Sequence, residues 1–374
     1  MNTAQGILRN QNGVVIVYVA IAMVIFLGFA ALAVDVGHIM VARTELQKIA
    51  DGAALAGARA LGRLYQCNGD LTATDATCQA MSGDDQLSYV ADVAAIRQAA
   101  KDVALQNQAG GSTTGIVIND ADIVIGNWDP VHYPRPDNDP LRPTDISPDA
   151  VRVTARRDSE ANGPITNFFA RILGIDTTNV SATATAALTG QTTVDEGGLP
   201  VPMGISSYFF DNPEFCHDNI TFYPSNSPDS CAGWHIYDQD AYNHANDRAL
   251  RDTIGDLDSG DYQSPALTVG TEFKFTGGTM STQTFDAMQT LYLHNADADG
   301  NWAVSVPVYQ AEDCGNPSGE LAIVGFARVI ITGVEASPEH TIYGTVECDY
   351  VDPENSRGGG NYYGTKGSIP GLVE

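Results

Sequence analysis

The chain has 374 residues and a formal net charge of −27, from 46 acidic against 19 basic side chains. That length suits two or three domains, and a polyanion of this kind excludes nucleic acid as a natural partner. The charge is uneven: residues 1–171 carry −5 and residues 172–374 carry −22, so the distal half has the composition of a solvent-exposed domain.

Residues 14–34, VVIVYVAIAMVIFLGFAALAV, form an uncharged run of 21 residues, thirteen of them Val, Ile, Leu or Phe. That is the length of a single bilayer-crossing helix, and insertion is favoured by roughly 4–8 kcal/mol on a per-residue scale. A cleaved secretory leader is the competing reading, with Arg9 as its basic start and Ala31-Leu32-Ala33 as its cleavage motif. Leaders have shorter apolar runs, and here the helical pattern continues past the motif, so the span is expected to be retained. Basic residues flank the run almost evenly, Arg9 before it and Arg43 and Lys48 after it. The cysteines and the acidic distal half therefore set the expected orientation: amino terminus in the cytoplasm, residues 35–374 outside it.

Residues 35–64 contain no proline and place Val36, Ile39, Met40, Leu46, Ile49, Ala50 and Ala53 at helical spacing. Ala53 and Gly57, like Ala54 and Ala58, stand four apart; small residues at that interval let a second backbone approach closely. The second backbone is either the chain's own sheet or another subunit. Asp35 marks the exit from the apolar run with His38 one turn on, and Gln47 and Asp51 share a face. A second helix is expected over 85–108, then strands at 116–128, 150–156 and 179–188, a proline-rich loop at 129–149, and a short helix from Pro164 to Leu173 carrying Phe168, Phe169 and Ile172. Beyond a boundary near 190–200, strands are expected at 200–210, 271–276, 302–310, 321–334 and 341–350, with a short helix over 241–250.

The expected organisation is a cytoplasmic stub (1–13), a transmembrane helix (14–34), a helix-plus-sheet domain (35–190), an acidic mainly β domain (191–356) and a Gly-rich tail (357–374), flexible unless Tyr362 and Tyr363 dock. The fold class is α+β: one N-terminal transmembrane helix continuing into a long amphipathic helix packed on an antiparallel sheet, followed by a mainly β distal domain.

The six cysteines fall into three local couples, Cys67 with Cys78, Cys216 with Cys231, and Cys314 with Cys348. Behind an export-competent helix they read as disulfides in an oxidising space. Fifteen pairings are possible, and local pairing is the expectation. A zinc site would need Cys216, His217, Cys231 and His235, whose spacing matches no finger or ribbon. Asn295, Asp297 and Asp299 with Gly300 resemble the start of a calcium loop, but Val306 stands where the closing Glu belongs. A solvated turn is the leading reading there, a Ca²⁺-stabilised one the minor alternative, and no other cofactor is expected. Gly359–Gly364 followed by Thr365-Lys366 has the Lys and Thr of a phosphate loop in reversed order. His235 and His244 lie among Asp238, Asp240 and Asp247, the remaining candidate for a metal or hydrolase site.

The hydrophobic run ending in Asp35-Val36-Gly37, then Arg43, Leu46-Gln47 and Asp51-Gly52-Ala53-Ala54-Leu55-Ala56-Gly57-Ala58, resembles the N-terminal region of TadG-like proteins of the TadE/TadG group, which accompany Flp-type tight-adherence pili. The resemblance covers roughly residues 9–62. A weaker one continues through Val151-Arg152-Val153, Phe168-Phe169-Ala170 and Val180-Ser181-Ala182. The family's processed members carry Glu at the fifth residue after the processed Gly; here Tyr18 follows Gly13 at that place. A von Willebrand A metal motif, D-x-S-x-S, has as its nearest match Asp145-Ile146-Ser147-Pro148-Asp149, which ends in the wrong residue.

The resemblance implies a non-enzymatic, single-pass component of a Flp/Tad pilus system in a bacterial inner membrane. Its partners would be the membrane, other Tad/Flp assembly proteins and possible further copies of itself. The alternatives are an envelope or adhesion protein sharing only the anchor, and an exported hydrolase.

Overall fold

The computed structural model describes residues 12–68, 93–129, 139–212, 215–216, 219–222, 231–237, 246–277 and 280–373. Its first element, α1 (Asn12–Asn68), is one helix of 57 residues, about 85 Å long at the standard rise. Its side chains fall into two regimes. From Val15 to Val34 every large apolar side chain is exposed, and this stretch is long and apolar enough to cross a membrane. From Ala42 onward burial recurs three and four residues apart, through Leu46, Ile49, Ala53, Leu61 and Tyr65. The buried face starts later than the spacing suggests, because Val36 and Met40 are exposed, as is Val41.

Contacts divide the chain into two compact units. One takes residues up to Ala53, 100–123 and 153–184; the other takes 54–99, 124–152 and 185 onward. The division interleaves segments instead of cutting the chain at residue 190. A five-stranded sheet runs in the order Gly371–Leu372, Val180–Ala187, Ala150–Arg157, Ile123–Trp128, Leu141–Pro143. In Val180–Ala187 the buried Val180, Ala182 and Ala184 alternate with the exposed Ser181 and Thr183, the period-two pattern of a strand with one covered face.

The distal sheet has seven strands, in the order Glu272–Thr276, Ala232–Trp234, Met203–Ser206, Trp302–Tyr309, Ser318–Glu335, Thr341–Glu347, Asn219–Phe222. The first of these also pairs with the start of Ser318–Glu335, from Glu272 opposite Ala322 to Thr276 opposite Ser318, so five strands close into a ring. Closure is possible because Ser318–Glu335 is 18 residues long: it serves Glu272–Thr276 first and Trp302–Tyr309 afterwards. After α2 (Val93–Leu105), two further helices, α3 (Asp247–Ser259) and α4 (Thr282–Asn295), share a core with the sheet, Leu250, Ile254, Phe285 and Met288 joining Trp234, Val306 and Val329.

Several expectations are corrected. The helix expected at 241–250 is α3, further along, and α4 was not anticipated. The strand expected from 116 begins at Ile123, after a 3-10 turn at Asp120–Asp122. Pro164–Leu173 is no α-helix: Ile165–Thr166 pairs with Thr177–Thr178 and only Ala170–Leu173 forms a 3-10 turn. The Gly-rich tail is ordered. Thr365–Ile369 pairs in parallel with Tyr350–Arg357, Gly371–Leu372 pairs with the end of Val180–Ala187, and Tyr363 is buried with its ring 4.9 Å from that of Phe210. Gly325 makes room for the Tyr363 ring, which a Cβ there would strike.

Candidate functional site at the foot of the long helix

The unit that contains the apolar part of α1 is organised around Asp35, one residue beyond the uncharged run. Its carboxylate is only 3% exposed. Oδ1 accepts from the Phe168 N–H at 2.8 Å, Oδ2 from the Ala170 N–H at 2.6 Å, and the Phe169 N–H lies 3.2 and 3.0 Å from the two oxygens. These N–H groups open the 3-10 turn at Ala170–Leu173, which has no cap of its own. A carboxylate at the start of a turn meets aligned N–H dipoles, so Asp35 caps a turn far away in sequence. The expected α-helix does not form because Ile165–Thr166 is paired with Thr177–Thr178 and Gly174, in the left-handed conformation, ends the turn after Leu173. His38 stands beside this cap, its ring 5.1 Å from that of Phe168.

The rest of the segment closes on itself. Asn167 N donates to Asp176 O, Gly174 N to Arg171 O and Ile175 N to Ala170 O, at 3.0, 3.0 and 3.1 Å. Gly174 lies at φ +84, where a side chain would be strained. With the backbone so satisfied, the side chains point out: Ile172 is 82% and Leu173 83% exposed, with Phe168, Phe169 and Ile175 also exposed. Sequence reading noted these apolar residues as a helix face. What would have betrayed their exposure is Gly174, which leaves the turn too short to have an inner and an outer side.

Further along α1, Glu45 accepts the Gly110 N–H at 2.7 Å, and Gln47 Nε2 donates to Asp51 at 2.8 Å and to the Thr183 carbonyl at 3.1 Å. Arg157 Nη1 holds the carbonyls of Ala109 and Gly110, both at 2.9 Å. In the other unit, the Tyr65 hydroxyl donates to Pro148 O at 2.8 Å and Arg59 to Ser368 O at 3.1 Å. Lys366 lies 2.9 Å from Asp149 and 2.7 Å from Asp349. Burial opposes its charge, but the carboxylates outweigh burial and hold the ammonium well above its ordinary value. Lys366 therefore ties the tail down, and the phosphate-loop resemblance ends there.

The remaining candidates are placed as follows. Ala53, Ala54, Gly57 and Ala58 are buried. Asn295 is the last residue of α4, and its amide donates to Leu291 O at 2.8 Å; Asp297 Oδ1 accepts from the Asp299 and Asn301 N–H groups at 3.0 and 2.8 Å. These polar groups shape the turn after α4. Among the described residues no group of three His, Cys, Asp or Glu side chains is arranged to hold a metal. Burial pushes the His235 imidazole down to about 3, and the ring packs 4.6 Å from that of Tyr237. His244, Asp238 and Asp240 lie outside the described residues.

The cysteine pairing is corrected. Cys216 bonds Cys348 and Cys231 bonds Cys314, which also removes the zinc reading; Cys78 lies outside the described residues, and Cys67 with it as regards its side chain. The reason is strand register. Asn219 faces Thr345 in the ladder, so three residues further out on each strand Cys216 meets Cys348. Ser206 N donates to the Cys231 carbonyl at 2.7 Å while its hydroxyl donates to Asp313 O at 2.8 Å, which places Cys314 beside Cys231.

Fold and site together define a class: an α+β protein built on one N-terminal helix apolar enough to cross a membrane, whose Asp35, just past the apolar run, caps a turn of the folded part. Two family models then say which proteins this one is similar to. Residues 13–60 match the Flp pilus-assembly TadE/G-like family, and residues 72–186 match the Tad-like Flp pilus-assembly family. Both matches fall in the N-terminal half of the chain. Searches of curated proteins and of solved structures found no match.

Proposed function

We propose that this protein is a membrane-anchored, non-enzymatic component of a Flp/Tad-type pilus-assembly system that works through protein–protein contact. The observation that carries the reading is the coincidence of the TadE/G-like match, residues 13–60, with the part of α1 that passes from exposed apolar side chains to a buried face. In this reading the matched module is a membrane anchor whose helix continues into the folded part of the chain. In this reading α1 spans the inner membrane with its amino terminus in the cytoplasm, and the body lies outside the cytoplasm, where the Cys216–Cys348 and Cys231–Cys314 bonds are chemically at home.

The test is genetic and biochemical together. Loss of the protein should abolish Flp-pilus display, and crosslinking in intact cells should capture other Tad components. Normal piliation without it would leave an envelope or adhesion protein that shares only the anchor.

A further inference from the structure

The turn held by Asp35 presents Phe168, Phe169, Ile172, Leu173 and Ile175 to solvent, level with the end of the apolar run. The same level of α1 exposes Val36, Met40 and Val41. From Val34 to Val41 the helix rises about 10 Å, enough to pass through one polar interface of a bilayer, about 5–8 Å deep. Apolar surface therefore continues from the span, along α1 and onto the turn.

Two more features fit one environment. The backbone N–H groups of Phe168, Phe169, Ala170, Ile172, Gly174 and Ile175 all have acceptors within the unit, which lowers the cost of bringing this irregular segment to the edge of the hydrocarbon. The cations nearby, Arg171 in the turn and Arg43 on α1, are exposed, in a chain that is otherwise strongly acidic. Such side chains reach lipid phosphates while their neighbours sit deeper.

We propose that the Phe168–Ile175 turn inserts into the headgroup–acyl boundary of the bilayer that α1 crosses, forming a second, interfacial anchor that fixes the depth of the helix. The inference rests on the reading of α1 as a membrane span. Asp35 is the link between the anchors, because it sets the height of the turn on the helix.

The test uses the full chain reconstituted in phosphatidylcholine–phosphatidylglycerol vesicles, with Leu173→Trp and, separately, Ile172→Trp as probes. Leu293→Trp, at an exposed position of α4, is the control. Flotation with the vesicles reports the span; the added fluorescence reports the turn. Both turn probes should emit blue-shifted light and lose most of it when the acyl chains are brominated, while the control keeps its emission. If the protein floats but the turn probes emit as in water, the interfacial anchor is wrong and the span stands. Blue-shifted emission that brominated lipid leaves unquenched would mean protein covers the turn, which also overturns the inference. Failure to float would overturn the span reading, and this one with it.

Discussion

At Asp35 one carboxylate satisfies three consecutive N–H groups, so its removal is felt in a segment more than 130 residues away in sequence. In Asp35→Ala the amides of Phe168, Phe169 and Ala170 should exchange with deuterium faster than in the parent. Asp35→Asn keeps one acceptor oxygen and should fall between the two. Unchanged protection in Asp35→Ala would show that the turn is held by its own bonds alone. Asp247 does comparable work in the distal domain. Its carboxylate takes the Ser281 N–H and hydroxyl at 2.7 and 2.8 Å and the Thr284 hydroxyl at 2.9 Å, joining α3 to the start of α4. Burial pushes this carboxyl up, but those bonds and Arg251 outweigh burial and hold it below its ordinary value. A carboxyl lowered on folding stabilises above its unfolded pKa, about 4, and that contribution is lost as the pH falls through the lowered value. Urea unfolding should thus find Asp247→Asn less stable than the parent at neutral pH, and the gap should narrow in acid.

Among the elements, α1 and the long strands were the most legible in the sequence, because their periodicities survive any tertiary arrangement: the Val180–Ala187 alternation and the Leu46, Ile49, Ala53 spacing reappear as burial. What could not be read were features fixed by partners distant in sequence. The Phe168 turn depends on Asp35, the tail on Asp149 and Arg59, and the Cys216–Cys348 bond on the register between Asn219–Phe222 and Thr341–Glu347. Helix α4 escaped notice although Ser281, which accepts from Thr284 N, is an ordinary N-cap signal. Gly62 shows how narrow the tail's seat is, since a Cβ there would meet the Ser368 carbonyl. Gly62→Ala should release the Thr365–Ile369 strand, read as faster proteolysis of the last residues. Replacing Cys314 by Ser should free Cys231 for alkylation, leave Cys348 protected, and cost roughly 2–5 kcal/mol by loss of one bridge. A free Cys348 would restore the local pairing.

On the scale of the whole molecule, charge and topology belong together. The −22 carried beyond residue 171 keeps a domain soluble and self-repelling when copies are crowded on one surface, and the ring of five strands leaves few open edges for mispairing. A reporter fused after Glu374 should be active only outside the cytoplasm; activity inside it would reverse the proposed orientation. The disulfides add a constraint in time. The Cys231–Cys314 bond lies nested within Cys216–Cys348, whose partners are 132 residues apart. In the proposed orientation, with the amino terminus held in the cytoplasm and the chain exported from residue 35 onward, Cys216 and Cys231 would emerge before either of their partners. A Cys216–Cys231 bond would then be within reach before the native ones, which can be completed only after Cys348 arrives, so export in that orientation would call for thiols of this domain to be delayed or reshuffled.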